Sequence, residues 1–231
     1  MAKVLVIIPA YNEEKNIQNV VEDIKANTSY DYIIINDCST DNTKKVCEEN
    51  NYNYIDLPIN YGLASAIQVG MKYAYKNGYD IAVQFDGDGQ HKAQYLPLVV
   101  EQIENGYNIS IGSRFINSKR DFSIRMVGSK ILSVLIKIIT LKTINDPTSG
   151  MRAYDRRCIE EKATDMNLPP EPDTLVYMMK NGLSIKEVPV EMADRQFGES
   201  YLSSFKSIEY MLNMFVSIVF IQIFRKKSRF E

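Results

Sequence analysis

Residues 81–91 read Ile-Ala-Val-Gln-Phe-Asp-Gly-Asp-Gly-Gln-His, an apolar run that ends in two carboxylates separated by one glycine. A short apolar run followed by turn residues is typical of a buried strand. On either side of it, similar runs alternate with helical stretches, which predicts an α/β fold with a mostly parallel sheet and helices on both faces. The predicted strands are 4–9, 32–36, 52–57, 81–85, 109–112 and 185–190, and the predicted helices are 15–26, 41–49, 63–77 and 95–104.

Composition and charge exclude several protein classes. The chain has 231 residues, 45% of them hydrophobic and 24% charged, which is typical of one globular unit. A net charge of −2 provides no basic field for duplex nucleic acid, so no nucleic-acid partner is expected. Three cysteines without a Cys-x-x-Cys pair favour neither a disulfide framework nor a zinc site, which fits a reducing cytosol. The first apolar run lacks a cleavage site and is predicted to be a strand, not a signal peptide.

The C-terminal segment 210–224 is mostly apolar and is followed by basic residues at 225–229. Polar interruptions leave it shorter than the roughly 20 residues that span a bilayer, so we expect a helix lying on a membrane surface through 208–229. The alternative is a helix docked on the protein's own core or on a second copy in a homo-oligomer. A second apolar run, 131–141, is also too short to span; the basic stretch 114–130 before it suits anionic lipid, phosphate or a solvated loop.

The carboxylates at the end of the 81–85 run predict a metal site, because ligands of such sheets bind beyond the carboxyl ends of the strands. Asp86 and Asp88 repel each other and need a cation to lie side by side at neutral pH. Hard oxygens on a short turn suit Mg²⁺ or Mn²⁺, which would neutralise a departing diphosphate. A helix-loop-helix calcium site is excluded, since Pro97 stands where its glutamate would be. For His91, the only histidine, a metal or phosphate role and a structural role both stay open.

Polar residues also follow the first two predicted strands. Residues 9–13 occupy the turn where a dinucleotide-binding fold needs Gly-x-Gly-x-x-Gly, so an NAD site is excluded. After the second strand, Asp37 is placed to accept a hydrogen bond from a base or a ribose hydroxyl. Ser39 or Asp41 suits the capping of the next helix better.

Together these motifs resemble the family 2 glycosyltransferases with a glycosyltransferase-A fold, in the branch of dolichyl-phosphate mannose synthases and bacterial polyprenyl-phosphate glycosyltransferases. The matching motifs occur in order over residues 3–205: PAYNE (9–13), NDCSTDNT (36–43), NYG (60–62), DGDGQH (86–91), GSR (112–114), DPTSGMR (146–152), EVPV (187–190) and RQFGES (195–200). The resemblance implies a Rossmann-like sheet and the transfer of a hexosyl or deoxyhexosyl group from a nucleotide-diphosphate sugar to a lipid-linked acceptor.

The resemblance also implies a sugar-nucleotide site. Around the nucleoside it places Pro9, Tyr11, Glu13 and Asp37. Around the metal and the diphosphate it places Asp86, Asp88 and Gln90. The residues that it places facing the phosphates or the acceptor are Arg114, Arg152, Arg195 and Ser200. A planar guanidinium can bind two phosphate oxygens at once, although a surface salt bridge explains any one arginine singly. The chain departs from the family pattern at Asn36, where the family has an aspartate, and at Cys38, where it has a glycine. Tyr201 stands where the polyprenyl-phosphate branch often has a lysine, which argues against a simple phosphate acceptor.

The implied reaction is a single displacement at the anomeric carbon with inversion. A lipid phosphate acceptor needs little base, whereas a sugar hydroxyl needs a carboxylate within hydrogen-bond reach. With Asp88 on the donor side, the candidate catalytic residues on the acceptor side are Glu171 and Asp173, before a helix predicted at 173–181. The alternative role for these two carboxylates is helix capping and solubility.

These predictions divide the chain into a catalytic domain, 1–205, and a hydrophobic and basic C-terminal helix, 206–231. Within the domain, 1–115 is the nucleotide-sugar half and 116–205 the acceptor half. The predicted protein is a metal-dependent inverting glycosyltransferase of cell-surface polysaccharide or glycolipid assembly, cytoplasmic and peripheral on the inner face of the cell membrane. The alternatives are a nucleotidyltransferase, for which no Gly-rich triphosphate loop is present, and a degenerate binding or scaffold subunit.

Overall fold

The computed structural model describes residues 2–116, 124–165, 167–193, 204–221 and 225. At its centre is a seven-stranded sheet in the order β3-β2-β1-β4-β6-β5-β7. The strands are β1 (Val4–Ala10), β2 (Asp31–Asn36), β3 (Tyr54–Asp56), β4 (Ile81–Gln84), β5 (Ile109–Ser113), β6 (Arg152–Tyr154) and β7 (Ile185–Pro189). Only β6 runs antiparallel to its neighbours, so the predicted mostly parallel α/β sheet is confirmed.

All the predicted strands are present, with ends that differ by at most two residues. β6 is absent from the prediction because three residues are too few to show a strand periodicity. It lies between β4 and β5, and its Tyr154 pairs with Ala82 on one side and Ile109 on the other. The strand therefore joins the predicted acceptor half of the chain to the nucleotide-sugar half in the middle of the sheet.

Helices cover both faces of the sheet. They are α1 (Ile17–Asn27), α2 (Thr43–Glu49), α3 (Leu63–Lys76), α4 (Leu96–Glu104), α5 (Ile124–Thr140), α6 (Arg156–Thr164), α7 (Pro172–Lys180) and α8 (Ser204–Val216). A 3₁₀ turn (Ala93–Tyr95) precedes α4, and a π-helical turn (Ser217–Ile221) continues α8. The predicted helices correspond to α1–α4 and α7, but α1 and α2 begin two residues later than predicted. α6 escapes prediction because its charged sequence lacks a long apolar stripe.

The strand alternation divides the core into two layers, since successive side chains of a strand point to opposite faces. Leu5 and Ile7 of β1 pack with Ile67 of α3 and other residues of α6 and α7. Val6 and its neighbours pack on the other face against Val20 of α1 and residues of α4. With both faces covered, β1 is buried along its whole length, as expected for a central parallel strand.

The C-terminal helix has one docked side and one exposed side. α8 packs on α5, and the π-helical turn packs on α7. Ser217 and Ile218 are buried, whereas Leu212, Phe215 and Phe220 are exposed. Docking on the protein's own core, one of the two predicted alternatives, is therefore observed for the inner side. No helix in the described part of the chain is both long and apolar enough to cross a membrane.

Candidate active site

Side-chain hydrogen bonds tie together the loops that follow β1 and β2. Asn12 Oδ1 accepts a hydrogen bond from the Thr40 N–H (2.8 Å). The Glu13 N–H donates to Thr43 Oγ1 (2.8 Å), and Asp41 Oδ1 accepts from the Thr43 N–H (2.9 Å). The N-cap of α2 is Asn42, without a side-chain capping bond, so the expectation that Ser39 or Asp41 caps this helix is wrong; Asp41 instead bonds the N–H of Thr43, the first residue of α2. Both loops are thereby held together at the carboxyl edge of the sheet, where the nucleoside was predicted to bind.

Pro9, Tyr11 and Asp37 lie at this edge in different environments. Pro9 is buried within β1, and Tyr11 is exposed just beyond it. Asp37 is buried, and its carboxylate accepts the N–H groups of Tyr61 (2.8 Å) and Gly62 (2.7 Å). Asp37 therefore orients the NYG loop before α3, a contact that its predicted nucleoside role did not include.

Two departures from the family pattern, Asn36 and Cys38, lie in the described residues, and each fits its immediate surroundings. Asn36 is buried, with its amide donating to Asp56 Oδ1 (2.6 Å) and its Oδ1 accepting from Ser39 Oγ (2.5 Å). Cys38 has a φ of +56°, in the left-handed region that favours glycine. The chain therefore keeps at residue 38 the backbone conformation that a glycine adopts most easily.

Asp86 directly follows β4 and is half-buried. Its Oδ2 lies 3.6 Å from His91 Nε2, too far for a hydrogen bond. Within the described residues, Asp86 Oδ1 and both ring nitrogens of His91 are buried and have no hydrogen-bond partner. Burial alone would raise the pKa of Asp86, but the adjacent His91 ring, the Gln84 amide and the Arg152 charge lower it overall. A buried, ionised oxygen without a partner fits a bound cation.

Asp88 and Gln90 complete the predicted metal motif. The Gln90 N–H donates to Asp88 Oδ1 (3.1 Å), which closes the turn between them. The Gln90 carbonyl accepts the Ala193 N–H (2.8 Å), and His91 bridges to Met192. Across the described ranges, no three His, Cys, Asp or Glu side chains form a group that could hold a metal ion. A cation bound by Asp86 and Asp88 would need further oxygen ligands from outside the described acidic side chains.

Gly150 brings the acceptor-side motif against the metal motif. A Cβ on Gly150 would lie 1.8 Å from Asp86 Oδ2, so this carboxylate rests directly on the backbone of residue 150. Gly87 is similarly close to β1, because its Cβ would lie 2.8 Å from the carbonyl oxygen of Pro9. The absence of side chains at both positions allows Asp86 to lie between β1 and the 146–152 segment.

Arg114, which follows β5, is bound by the acceptor-side motif. Its Nε and Nη2 donate to the two carboxylate oxygens of Asp146 (2.6 and 2.7 Å), and Nη2 also donates to Thr148 Oγ1 (3.1 Å). Asp146 is fully buried, and the Asn145 and Asp146 N–H groups donate to Glu187 (both 2.7 Å). The Arg114 guanidinium, predicted to face the phosphates or the acceptor, is therefore paired with the Asp146 carboxylate in this structure.

Arg152 also has contacts different from those predicted. Its side chain is 2% exposed, and the guanidinium donates to the carbonyl oxygens of Ser149 (2.9 Å) and Pro147 (2.7 Å). Nearby, Lys162 is buried and donates to the carbonyl oxygen of Leu168 (2.7 Å). Burial, with the positive charge of Arg152, lowers the pKa of Lys162 to about 7. Arg152, predicted to face the phosphates or the acceptor, therefore holds the 146–152 loop through two of its carbonyl oxygens.

The acceptor-side carboxylates contact the C-terminal helix. Tyr210 OH donates a short hydrogen bond to Glu171 Oε2, and Ser217 Oγ donates to Asp173 Oδ2 (2.6 Å). Asp173 is 8% exposed, and its Oδ1 accepts the N–H of Thr174 (2.8 Å). Glu171 stands at the N-cap of α7 without a capping hydrogen bond from its side chain, so the predicted capping alternative is not observed for it.

The predicted site residues Arg195 and Ser200, and the departure at Tyr201, lie outside the described residues. Gly150, Tyr210 and Ser217 also contact predicted site residues, although none of the three was itself predicted as a site residue. Gly150 belongs to a recognised motif, so its position along the chain was a usable signal. For Tyr210 and Ser217 no local signal exists, since their partners are 39 and 44 residues away in the sequence.

Comparisons with known proteins agree with this architecture. Residues 5–161 match the family model described as Glycosyl transferase family 2. A UDP-N-acetylglucosamine–dolichyl-phosphate N-acetylglucosaminyltransferase of Methanococcus voltae is 32% identical over 212 residues, covering 81% of this chain and 84% of the relative. An undecaprenyl-phosphate 4-deoxy-4-formamido-L-arabinose transferase of Proteus mirabilis is 31% identical over 225 residues, covering 92% of this chain but 66% of the relative.

A solved structure shares the fold at lower identity. Glucosyl-3-phosphoglycerate synthase from Mycobacterium tuberculosis, crystallised with Mn²⁺, UDP-glucose and phosphoglyceric acid, superposes with a TM-score of 0.69 at 17% identity, covering 94% of this chain and 79% of the synthase. At this identity the likeness concerns the fold alone. The match to the family model spans more than half of the chain, and the Methanococcus relative exceeds 30% identity over most of both chains. The resemblance found in the sequence motifs is thus confirmed, and the chain belongs to glycosyl transferase family 2.

Proposed function

We propose that this glycosyltransferase is metal-dependent and inverting, and that it moves a sugar from a nucleotide-diphosphate donor to a polyprenyl phosphate or lipid-linked saccharide at a membrane surface. The observation that carries the proposal is the buried, unpartnered Oδ1 of Asp86 beside Asp88 at the carboxyl end of β4. A nucleotidyltransferase and a scaffold subunit receive no comparable support.

The donor side is assigned to the loops after β1, β2 and β4. Asp86 and Asp88 would hold Mg²⁺ or Mn²⁺, which when bound supplies positive charge to the leaving diphosphate. Glu13 and Asp37 hold the surrounding loops through hydrogen bonds to backbone and side chain, so little reorganisation is needed on donor binding. A site formed before the donor arrives favours a single orientation of the anomeric carbon.

The transfer forms one carbon–oxygen bond as another breaks. An acceptor oxygen attacks the anomeric carbon from the side opposite the diphosphate, the bond to the diphosphate oxygen breaks, and configuration inverts. A phosphate acceptor is already anionic, so no proton needs to be removed. A hydroxyl acceptor would pass its proton to Glu171 or Asp173. Glu171 is the better placed of the two, because Asp173 is buried and both its oxygens accept hydrogen bonds within the protein.

Lipid-linked acceptors are favoured by the names of the relatives. The two relatives described above are named as transferases to dolichyl phosphate and undecaprenyl phosphate. Both acceptors are long apolar chains that carry a phosphate, so an enzyme for such a substrate must meet a membrane surface. The two relatives differ in the sugar that they are named as transferring, so what they share is the lipid-phosphate acceptor.

An exposed apolar ridge supports contact with a membrane surface. We define the ridge as Ile131, Val134, Ile138 and Leu141 on and just after α5 with Leu212, Phe215, Val216 and Phe220 on α8 and its π-helical turn. The α5 members are spaced by three or four residues, so they share one face of the helix. Exposed lysines at 130, 137 and 142 flank them, which suits an anionic bilayer surface. We therefore propose a peripheral position on the inner face of the cell membrane.

The proposal is tested by nucleotide binding to the purified protein. UDP, GDP and dTDP are each added with Mn²⁺ or Mg²⁺, and the melting temperature is compared with that of the protein alone. Stabilisation by one diphosphate that requires the cation is expected, because a ligand that binds the native state raises its stability by mass action. Transfer is then measured with sugars on that base and short-chain polyprenyl phosphate in vesicles.

Asp88→Asn should abolish cation-dependent stabilisation and transfer without lowering the melting temperature of the free protein. Asp80→Asn is the matched control, since Asp80 is exposed beside the opposite end of β4, where it accepts the Lys3 N–H (2.7 Å). Full transfer in the presence of a chelator would contradict metal dependence. Retention of the donor's anomeric configuration in the product would contradict the single displacement.

A further inference from the structure

Two hydrogen bonds connect the C-terminal helix with the acceptor-side carboxylates. Tyr210 OH donates to Glu171 Oε2, and Ser217 Oγ donates to Asp173 Oδ2 (2.6 Å). The donors are seven residues apart, and seven residues of an α-helix complete almost two turns, so both hydroxyls point to the same side. This side is the docked one, because Ser217 is buried there together with Ile218. The helix therefore presents two hydroxyl donors to two carboxylates of the α7 N-terminus.

Both bonds are of a kind that holds a carboxylate firmly. A hydroxyl that donates to an ionised carboxylate forms a charge-assisted bond, roughly twice as strong as a neutral one. Burial and the nearby Glu171 charge raise the pKa of Tyr210, so its OH keeps its proton and remains a donor at neutral pH. Asp173 is buried, and a buried carboxylate oxygen that loses its donor bears the full cost of desolvation.

The backbone before these carboxylates is held by separate contacts. Lys162 Nζ donates to the carbonyl oxygen of Leu168 (2.7 Å), and Arg225 donates to the carbonyl oxygen of Asn167 (3.0 Å) and to Asp165 (3.1 Å). None of these bonds involves Tyr210 or Ser217. Loss of either hydroxyl is therefore expected to remove one constraint on the orientation of its carboxylate while the segment itself stays in place.

We propose that Tyr210 and Ser217 are positioning residues, which hold Glu171 and Asp173 in the orientation that the acceptor side requires. The inference rests on the proposed role of these two carboxylates in transfer. It assigns the inner side of the C-terminal helix to the active site, in addition to the contact that its outer side is proposed to make with a membrane.

The test compares Tyr210→Phe and Ser217→Ala with Ser217→Thr, which keeps a hydroxyl. Tyr75→Phe is the matched control, because it removes an equivalent hydroxyl–glutamate bond, from Tyr75 to Glu160 (3.2 Å), between α3 and α6. Tyr210→Phe and Ser217→Ala should lower kcat, measured with the acceptor that the parent enzyme uses, by about tenfold or more, since a misplaced group can cost as much as 100-fold. The KM for the donor and the cation-dependent nucleotide stabilisation should stay at their wild-type values, and Ser217→Thr should recover most of kcat.

A double variant separates positioning from general stability. If Tyr210 acts through Glu171, Tyr210→Phe should cause little further loss of kcat in a Glu171→Gln background, because variants that remove the same interaction are not additive. Wild-type kcat in Tyr210→Phe and Ser217→Ala, with an active parent enzyme, would overturn the inference alone. A parent that neither binds a nucleotide nor transfers a sugar would overturn the proposed function, and this inference with it.

Discussion

Replacing Gly150 by alanine should disable the donor site through a single methyl group. The added Cβ would lie 1.8 Å from Asp86 Oδ2 and 2.6 Å from its Cγ, whereas real Cβ atoms essentially never approach another heavy atom within 3.0 Å. Gly150 is not among the glycines with a positive φ, so the backbone itself accepts alanine. The whole effect is therefore expected to come from the contact with Asp86.

The size of the effect follows from this distance. To relieve the contact, the carboxylate must move by at least about 1 Å, a displacement that can cost roughly 100-fold in rate. We expect kcat/KM to fall by about 100-fold, which corresponds to about 2.7 kcal/mol of transition-state stabilisation. Overpacking should also lower the free energy of unfolding by about 1–3 kcal/mol.

The assay measures kcat/KM, cation-dependent nucleotide stabilisation and urea unfolding on the same preparations. Gly106→Ala is the matched control: Gly106 has a φ of +93° and no atom within 4 Å of its built Cβ. Alanine there should cost about 1 kcal/mol of stability through the backbone alone. Its kcat/KM should remain that of the wild type.

An Asp86→Ala background tests the contact itself. Without the carboxylate, Gly150→Ala should cost less unfolding free energy than it does in the wild type, because the clashing atoms are gone. A Gly150→Ala enzyme with kcat/KM within about threefold of the wild type would refute the reasoning, since it would mean that Asp86 can move by about 1 Å without loss of function. Equal stability losses in both backgrounds would refute the proposed contact.

Three further predictions concern other parts of the molecule. Leu212→Ser with Phe220→Ser should weaken binding to sedimenting anionic vesicles by about 100-fold or more without changing the melting temperature, because two exposed apolar side chains at roughly 2 kcal/mol each contribute roughly 4 kcal/mol when they enter lipid. Burial and the charge of Arg152 lower the pKa of Lys162 from 10.5 to about 7. Between these two pH values the unfolded state binds more protons than the folded state, so the free energy of unfolding rises with pH. Lys162→Met should remove this rise, as measured by urea unfolding at pH 7 and pH 9. Cys38→Gly should raise the free energy of unfolding by up to about 1 kcal/mol and preserve nucleotide binding, since residue 38 has a positive φ.

The sheet and the polar turn after β4 were predictable because their signals are local. β1 and β4 are apolar runs followed at once by polar turns, and a strand buried on both faces requires that pattern. The contact between Asp86 and Gly150 was not predictable, although both residues lie in recognised motifs. It depends on the antiparallel entry of β6 between β4 and β5, and a strand of three residues leaves no periodicity in the sequence.

The acceptor side was less predictable for a related reason. The proline-rich segment predicted a helix start near residue 173, and α7 does begin there. The bonds from Tyr210 and Ser217 depend on how the C-terminal helix docks, however, and docking is a long-range property of the packed chain. The contacts of Arg114 and Arg152, both predicted to face the phosphates or the acceptor, were likewise unpredictable, because their partners, a carboxylate and two backbone carbonyls, come together only in the folded 146–152 loop.

Asn36, Cys38 and Tyr201, the departures from the family pattern, motivate the scaffold alternative; Tyr201 lies outside the described residues, and the surroundings of the other two argue against it. Asn36 contacts Asp56 Oδ1 at 2.6 Å through its amide, which an aspartate could not do without placing two carboxylates side by side. The amide also leaves its oxygen to accept from Ser39, so the loop after β2 keeps its hydrogen bonds. Cys38 adopts the left-handed backbone of a glycine at a cost of about 1–2 kcal/mol, which a stable core tolerates. Because both substitutions leave Asp37 bonded to the NYG loop, they are compatible with a working nucleotide site.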